Sequence, residues 1–184
     1  MKVQEVQEFQ ELHMPRPGGV RVRVVWHRKF SNFARSRILS PTGLEVATAE
    51  ALYQAAKFPG DRELQRAILQ TVDPKEAKQL ARRHERRLEP RWKRHWQVFL
   101  RLEVMEWVLR RKFAQNPDLA GLLVATEDAP IVEPSRFDTF WGMVTDSPWR
   151  WRGENRLGRL LMELRAELQK TGSLRVPAPP VPVL

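Results

Sequence analysis

The stretch from Pro90 to about Gln115 constrains the fold most tightly. Trp92, Trp96, Phe99, Leu100, Leu102, Val104, Met105, Trp107, Val108, Leu109 and Phe113 recur at helical spacing but spread round most of a helix's circumference. A helix on a protein surface keeps its apolar residues on one stripe. One that is apolar on most sides must be packed on most sides, so this segment predicts a central helix. Shorter helices are predicted around it. Thr48 can cap a helix running to about Phe58, and Asp61 to Gln70 is a short candidate. Asp73-Pro74-Lys75-Glu76 combines a cap, a proline at the first helical position and a glutamate at the third. Asn116 and Pro117 end the long helix and open another through Leu122 and Leu123. Leu157, Leu160, Leu161, Leu164 and Leu168 form one stripe of a last helix that Gly172 stops.

Before residue 47 the periodicity differs. Val20, Val22, Val24 and Trp26 alternate with Arg21, Arg23 and Val25, as in a strand with one buried face. Ser40-Pro41-Thr42-Gly43 lies between Ile38-Leu39 and Leu44-Glu45-Val46, a hairpin turn. The expected class is therefore α+β: a compact, mostly helical domain with a small antiparallel sheet near the N-terminus. A chain of 184 residues can bury one self-sufficient core, expected at 20–172. The polar extension 1–19 and the Pro-rich tail 173–184 are expected to be unstructured or loosely attached, since PAPPVPV neither continues a helix nor donates to a ladder.

The chain has no cysteine, which excludes disulfides, thiol catalysis and cysteine-bound metal. His13, His27, His84 and His95 lack close ligand spacing, so no metal and no cofactor is expected. No apolar run reaches the roughly 18 residues of a spanning helix, and the first residues lack a basic-then-apolar leader pattern. A cytoplasmic protein with no membrane partner is the expectation. The net charge of +10 favours a polyanionic partner or a phosphate-rich ligand, although a thermophile's arginine-rich surface reads the same way.

Several segments could carry chemistry, each with a plain alternative. Ser31 and Asn32 lie between Phe30 and Phe33 and could hold a ribose or phosphate, or simply make turn hydrogen bonds. Glu50, Gln54 and Lys57 share one helical line beside Tyr53. On a solvated face they are ordinary surface residues. In a pocket, burial would give an acid or base and a nucleophilic amine near neutral pH. Glu133 and Asp138 occupy a loop with Trp141 and Gly142. Paired carboxylates suit glycoside cleavage and the indole suits a base, whereas either acid could equally cap a helix or pair with an arginine. Gly153 to Gly158, including Asn155, opens the last helix, whose N-terminal amides suit a phosphate. From Arg82 to Arg94 seven arginines or lysines face two glutamates. Arg82, Arg83, Arg86, Arg87, Arg91 and Arg94 are a solvated helix face or a track for nucleic-acid phosphates, with Trp92 available for stacking.

Taken in order, these segments resemble the NADAR family of YbiA-like proteins over about residues 24–168. The resemblance is carried by FSNF at 30–33, TAEALYQAAKF at 48–58, AK at 77–78 with a downstream Trp92, KFAQN at 112–116, LLVAT at 122–126, VE at 132–133, DTFWG at 138–142 and GENRLGRLLMELR at 153–165. It implies a hydrolase of N-glycosidic bonds. Family members remove ADP-ribose from guanine in nucleic acid, often opposite an ADP-ribosylating toxin, or cut phosphorylated ribosylamino intermediates of riboflavin biosynthesis. The resemblance implies Glu50, Lys57 and Asp138 as catalytic residues. It implies Asn32, Ser31, Gln54, Tyr53, Glu133, Trp141, Gly142 and Asn155 as binding residues. It also implies an ADP-ribose- or ribose-phosphate-containing substrate, with DNA or RNA and a toxin as partners. The basic segment favours ADP-ribosylated guanine in DNA or RNA; a non-catalytic ADP-ribose or nucleic-acid binding module is the rival reading. The chain departs from the family at Ala51 and Leu52, near Ala81 and at Thr126-Glu127-Asp128, departures that bear on substrate choice more than on reaction class.

Overall fold

The computed structural model describes residues 10–15, 21–147 and 150–184. The chain forms two compact units. The first ends at Ser31 and resumes over Asp118–Gly172; the second comprises Asn32–Pro117 and Ser173–Leu184. The stretch 20–172 divides between these units, and the tail belongs to the second. Among the described residues no helix is long and apolar enough to cross a membrane.

The second unit begins with β3 (Arg35–Leu39) and β4 (Glu45–Thr48), an antiparallel hairpin round the predicted turn. Gly43 takes φ +85°, a left-handed conformation that glycine adopts without steric cost, and its amide donates to Ser40 O. Thr48 then caps α1 (Ala49–Ala55), its hydroxyl accepting from Ala51 N. All seven residues of α1 are buried. Alanines at 49, 51 and 55 leave room for its neighbours α2 (Arg62–Leu69), α3 (Pro74–Glu85) and α5 (Arg101–Ala114). Asp61 and Asp73 cap α2 and α3 through their carboxylates. Arg111 and Gln115 at the end of α5 both donate to Leu39 O, tying the hairpin to that helix.

The long helix is interrupted. After α4 (Pro90–His95) the turn Trp96–Leu100 widens so that Arg101 N donates to Trp96 O, five residues back, before α5 resumes. One extra residue in a turn rotates what lies on it. Phe99, expected in the core, is therefore 61% exposed beside Val98 at 62%. Val104, Met105, Trp107, Val108, Leu109 and Phe113 of α5 are buried, as a central helix requires.

The tail departs from its expectation too. Prolines prevent it from forming a helix or a ladder, but they do not prevent its apolar side chains from docking. Val181, Val183 and Leu184 are buried. The Gln65 amide holds this segment at two points, donating to Pro182 O and accepting from Leu184 N. Trp107 Nε1 donates to Pro177 O.

In the first unit, β1 (Gln10–Pro15) pairs antiparallel with β2 (Arg21–Trp26), from Gln10 opposite Trp26 to Pro15 opposite Arg21. Part of the N-terminal extension is thus a strand, because β2 needs a partner for its backbone groups. Val20 lies outside the described residues. Val25 N donates to Pro130 O and Val25 O accepts from Val132 N, bringing the segment after α6 (Pro117–Val124) beside β2. A second small sheet, β5 (Pro134–Ser135), β6 (Met143–Ser147) and β7 (Arg150–Arg152), leads into α7 (Arg156–Thr171). The five leucines predicted as the stripe of α7 are all buried, and Gly172 ends the helix at φ +73°. Among the described residues the strands form three small sheets, two of them antiparallel pairs near the N-terminus, where one such sheet was expected. The fold is α+β.

Candidate active site

The buried helix α1 carries two polar side chains where burial is expensive. Removing a carboxyl or an amide from water costs several kcal/mol unless hydrogen bonds replace the lost hydration. Glu50, 3% exposed, receives them from two directions. Gln54 Nε2 donates to its Oε1 at 2.7 Å and Asn32 Nδ2 donates to its Oε2. The Asn32 carbonyl in turn accepts from Glu50 N at 2.9 Å, which fixes Asn32 against the start of α1. Burial raises the Glu50 pKa above the ordinary carboxylate range. The hydrogen bonds from Gln54 and Asn32 and the charges of Lys78 and Lys57 only partly oppose it. A carboxyl of this kind holds its proton closer to neutral pH than an exposed one. Gln54 Oε1 is buried as well and has no hydrogen-bond partner.

Lys57 is not on the line with Glu50 and Gln54. The helix ends at Ala55, and Lys57 lies in the following turn, where its amide donates to Gln54 O at 3.3 Å. Its Nζ reaches Glu85 of α3 at 2.5 Å and sits 5.7 Å from the centre of the Tyr53 ring. Trp92 Nε1 donates to its carbonyl at 2.8 Å. Beside it opens a cleft of about 440 Å³ lined by Lys57, Arg82, Glu85, Arg86, Lys93 and Trp96, with Leu88 and Gln97. Four cations against one carboxylate give it a positive lining, and the indole of Trp96 offers it an apolar wall. Trp96 also packs against Tyr53, ring centres 5.4 Å apart. Burial, first of all, raises the pKa of the Tyr53 hydroxyl, which therefore stays protonated. Glu50, Asn32 and Gln54 do not line this cleft.

In the first unit the DTFWG segment is a turn built on Asp138. Its Oδ1 accepts from Phe140 N at 2.9 Å and Trp141 N at 2.8 Å, while Ser135 Oγ accepts from Asp138 N. The carbonyls of Thr139, Phe140, Trp141 and Gly142 accept from the amides of Glu154, Arg156, Leu157 and Asn155 respectively. These are the donors at the start of α7. The expectation that they are open to a phosphate is corrected: the loop has already satisfied them. Asn155, in the left-handed region at φ 51°, donates through Nδ2 to Ile131 O and accepts at Oδ1 from Glu133 N. Both ends of its amide are thus occupied by backbone, and it positions Glu133. Gly142 and Gly158 allow this packing, because a Cβ on them would stand 2.6 Å from Glu133 O and 2.3 Å from Ile131 O.

The structure thus gathers Asn32, Glu50 and Gln54 into one hydrogen-bonded cluster, with Tyr53 and Lys57 on the adjoining turn. Glu133, Asp138, Trp141, Gly142 and Asn155 form a second group within the first unit, which also holds Ser31. Arg82, Arg83, Arg86, Arg87, Arg91 and Arg94 are all exposed, and Arg82 and Arg86 border the cleft. Sequence reasoning did not single out Lys78, whose charge acts on Glu50 and whose Nζ lies 5.5 Å from the Phe33 ring centre. Its pairing with Ala77 in the AK motif was the available signal. Glu85, Lys93 and Trp96 carried none, being indistinguishable in sequence from a charge run and a core tryptophan.

The NADAR domain family matches residues 23–169. A riboflavin biosynthesis protein of Vibrio vulnificus is 41% identical over 123 residues, which is 67% of this chain but 31% of that protein, so the chain spans about a third of it. The N-glycosidase YbiA of Escherichia coli is 36% identical over 139 residues, 76% of this chain and 80% of that one. The NMR structure of the Escherichia coli protein YbiA superposes with a TM-score of 0.65 at 35% identity, covering 78% of this chain and 79% of the other.

Proposed function

Because the chain belongs to the NADAR family, we propose that it is an N-glycosidase, hydrolysing the bond between a phosphorylated ribose and a base. The observation that carries this reading is the buried Glu50, its pKa raised by burial, held by Asn32 and Gln54 with the unpartnered Gln54 Oε1 beside it. A buried acceptor left unmade costs about 1–3 kcal/mol, and a substrate hydroxyl or amino group that donates to it recovers that loss on binding. Breaking an N-glycosidic bond leaves a cationic sugar and a basic nitrogen. In this reading Glu50 gives its proton to the departing nitrogen. Water then adds to the sugar carbon and returns a proton to the carboxylate. Lys57, held by Glu85, binds a substrate phosphate with Arg82, Arg86 and Lys93. Asp138 orders the DTFWG turn with one oxygen and is the alternative acid.

The finer reading is removal of ADP-ribose from guanine in nucleic acid, supported by the exposed arginines from Arg82 to Arg94. A second reading, hydrolysis of phosphorylated ribosylamino intermediates of riboflavin biosynthesis, is supported by the name of the Vibrio relative. Release of free ADP-ribose from a guanine-ADP-ribosylated oligonucleotide, assayed beside release of ribose 5-phosphate from the riboflavin intermediate, separates the two. Cleavage of neither leaves the binding-module reading. Unchanged turnover in both Glu50→Gln and Lys57→Ala would sink the mechanism.

A further inference from the structure

We infer that the widened turn at Trp96–Leu100 builds a stacking ledge for single-stranded nucleic acid beside the basic cleft. The inference rests on the nucleic-acid reading above and deepens it. Three rings follow one another along this helix: Trp92 and His95 with centres 5.8 Å apart, then His95 and Phe99 at 5.3 Å. Phe99 is 61% exposed and Val98 62%, an unusual use of large apolar side chains on a segment that also exposes Arg91 and Arg94. The turn itself is what brings Phe99 outward, since the widened hydrogen bond from Arg101 N to Trp96 O displaces it from the apolar stripe that α5 buries.

Charge selects the occupant. From Arg82 to Arg94 there are seven cations and two carboxylates, which repels basic partners and favours a phosphate backbone. Aromatic rings with cations beside them are the arrangement that holds unpaired bases, because every base has a face to stack whereas a duplex keeps its faces inside. Position supports the same choice. Trp92, the first ring of the ledge, donates to the Lys57 carbonyl, and Lys93 next to it lines the cleft. A strand lying on the ledge therefore runs to the cleft where a phosphorylated sugar is bound.

The test is fluorescence anisotropy with a labelled oligothymidylate of about twelve nucleotides, within the range such surfaces cover, against the same sequence as a duplex. The wild-type chain is expected to bind the single strand more tightly, and Phe99→Ala to weaken that binding about tenfold while Phe99→Trp restores it. Phe99→Ala should turn over a small ribosyl substrate at the wild-type rate, showing that the fold and the site are intact. Arg91→Glu with Arg94→Glu should flatten the dependence of binding on salt. Equal binding of Phe99→Ala and wild type overturns the ledge but leaves the nucleic-acid reading standing. No binding of any oligonucleotide by the wild-type chain overturns both. Equal affinity for duplex overturns the claim of strand selectivity, and self-association abolished by Phe99→Ala assigns the surface to a second copy of the chain instead.

Discussion

Replacing Glu50 with glutamine should remove activity while leaving the fold intact, and replacing it with alanine should damage both. The carboxyl accepts from Asn32 Nδ2 and Gln54 Nε2. In Glu50→Gln one of its two oxygens becomes an NH₂ group facing a donor. Rotation of the Gln54 amide by half a turn then presents Oε1, which has no other partner, to that NH₂ group. The network survives, and stability should change by less than about 1 kcal/mol at acid pH. In Glu50→Ala the buried Gln54 donor loses its acceptor, at about 1–3 kcal/mol, and the half-buried Asn32 donor loses its own at a smaller cost because water can reach it, together a large fraction of the roughly 5–15 kcal/mol that holds a domain together. Loss of the acid should lower turnover about 10²–10⁴-fold in both variants. The pH dependence gives a further check. A raised pKa means that the folded chain binds this proton more tightly than the unfolded chain does. The contribution of Glu50 to stability is therefore greatest below the ordinary carboxylate pKa of 4.5 and declines as pH rises toward the raised value. Glutamine has no such decline, so its stability relative to wild type should improve as pH rises above the ordinary carboxylate pKa of 4.5. Urea denaturation across that range, with turnover measured in parallel, tests the argument. Turnover of Glu50→Gln within threefold of wild type, or destabilisation equal to that of Glu50→Ala, would refute it.

Gly158→Ala should destabilise by about 3 kcal/mol in urea denaturation, because its Cβ would meet the backbone Ile131 O at 2.3 Å and neither segment is free to yield. Asp138→Asn keeps an oxygen for Phe140 N and Trp141 N whereas Asp138→Ala does not, so both variants should lose turnover if the charge matters, and only alanine should lower the melting temperature. Ending the chain at Pro180 removes three buried side chains and leaves the Gln65 amide without its partners. With the ordering entropy of that segment set against the burial, stability should fall by about 2 kcal/mol in calorimetry. Glu127 stands at φ 53°, in the left-handed region that costs a side chain about 1 kcal/mol and glycine nothing, so Glu127→Gly should raise stability by about 0.5–1 kcal/mol in urea denaturation.

The elements whose limits are set by caps were legible from sequence. Thr48, Asp61, Asp73 and Gly172 stand where their side chains or backbone freedom place them, and each begins or ends its helix as expected. The widened turn at Trp96 was not legible, because a periodicity count over Pro90–Gln115 absorbs one extra residue without showing it. Its sign was the apolar pattern that refused to form a stripe, which reads equally as a helix buried all round. The tail was misjudged for a related reason: proline governs what a backbone can bond to, not whether Val181, Val183 and Leu184 find an apolar surface. At the candidate site the residue types were legible but the partners were not. Spacing put Glu50, Gln54 and Lys57 on one line, and the early end of α1 broke it, sending Lys57 to a glutamate 28 residues away. Nothing in the order of residues marks Asn155 as the clamp on Glu133 rather than a ligand for phosphate.

A helix such as α1 is hard to explain as packing alone. Seven buried residues could be alanine and leucine throughout, and exchanging a buried polar cluster for apolar residues of similar volume is often neutral or stabilising. Instead the chain buries an acid whose charged form the surroundings disfavour, supports it with two amides, and leaves one amide oxygen unmet. The buried acid and the unmet oxygen weaken the fold, and together they make a proton donor with a vacant acceptor beside it. The asymmetry across the second unit points the same way, since the adjoining cleft is lined with cations whose mutual repulsion also opposes folding. A site that works against stability in two independent ways is better explained by the ligand it recognises than by the core it completes.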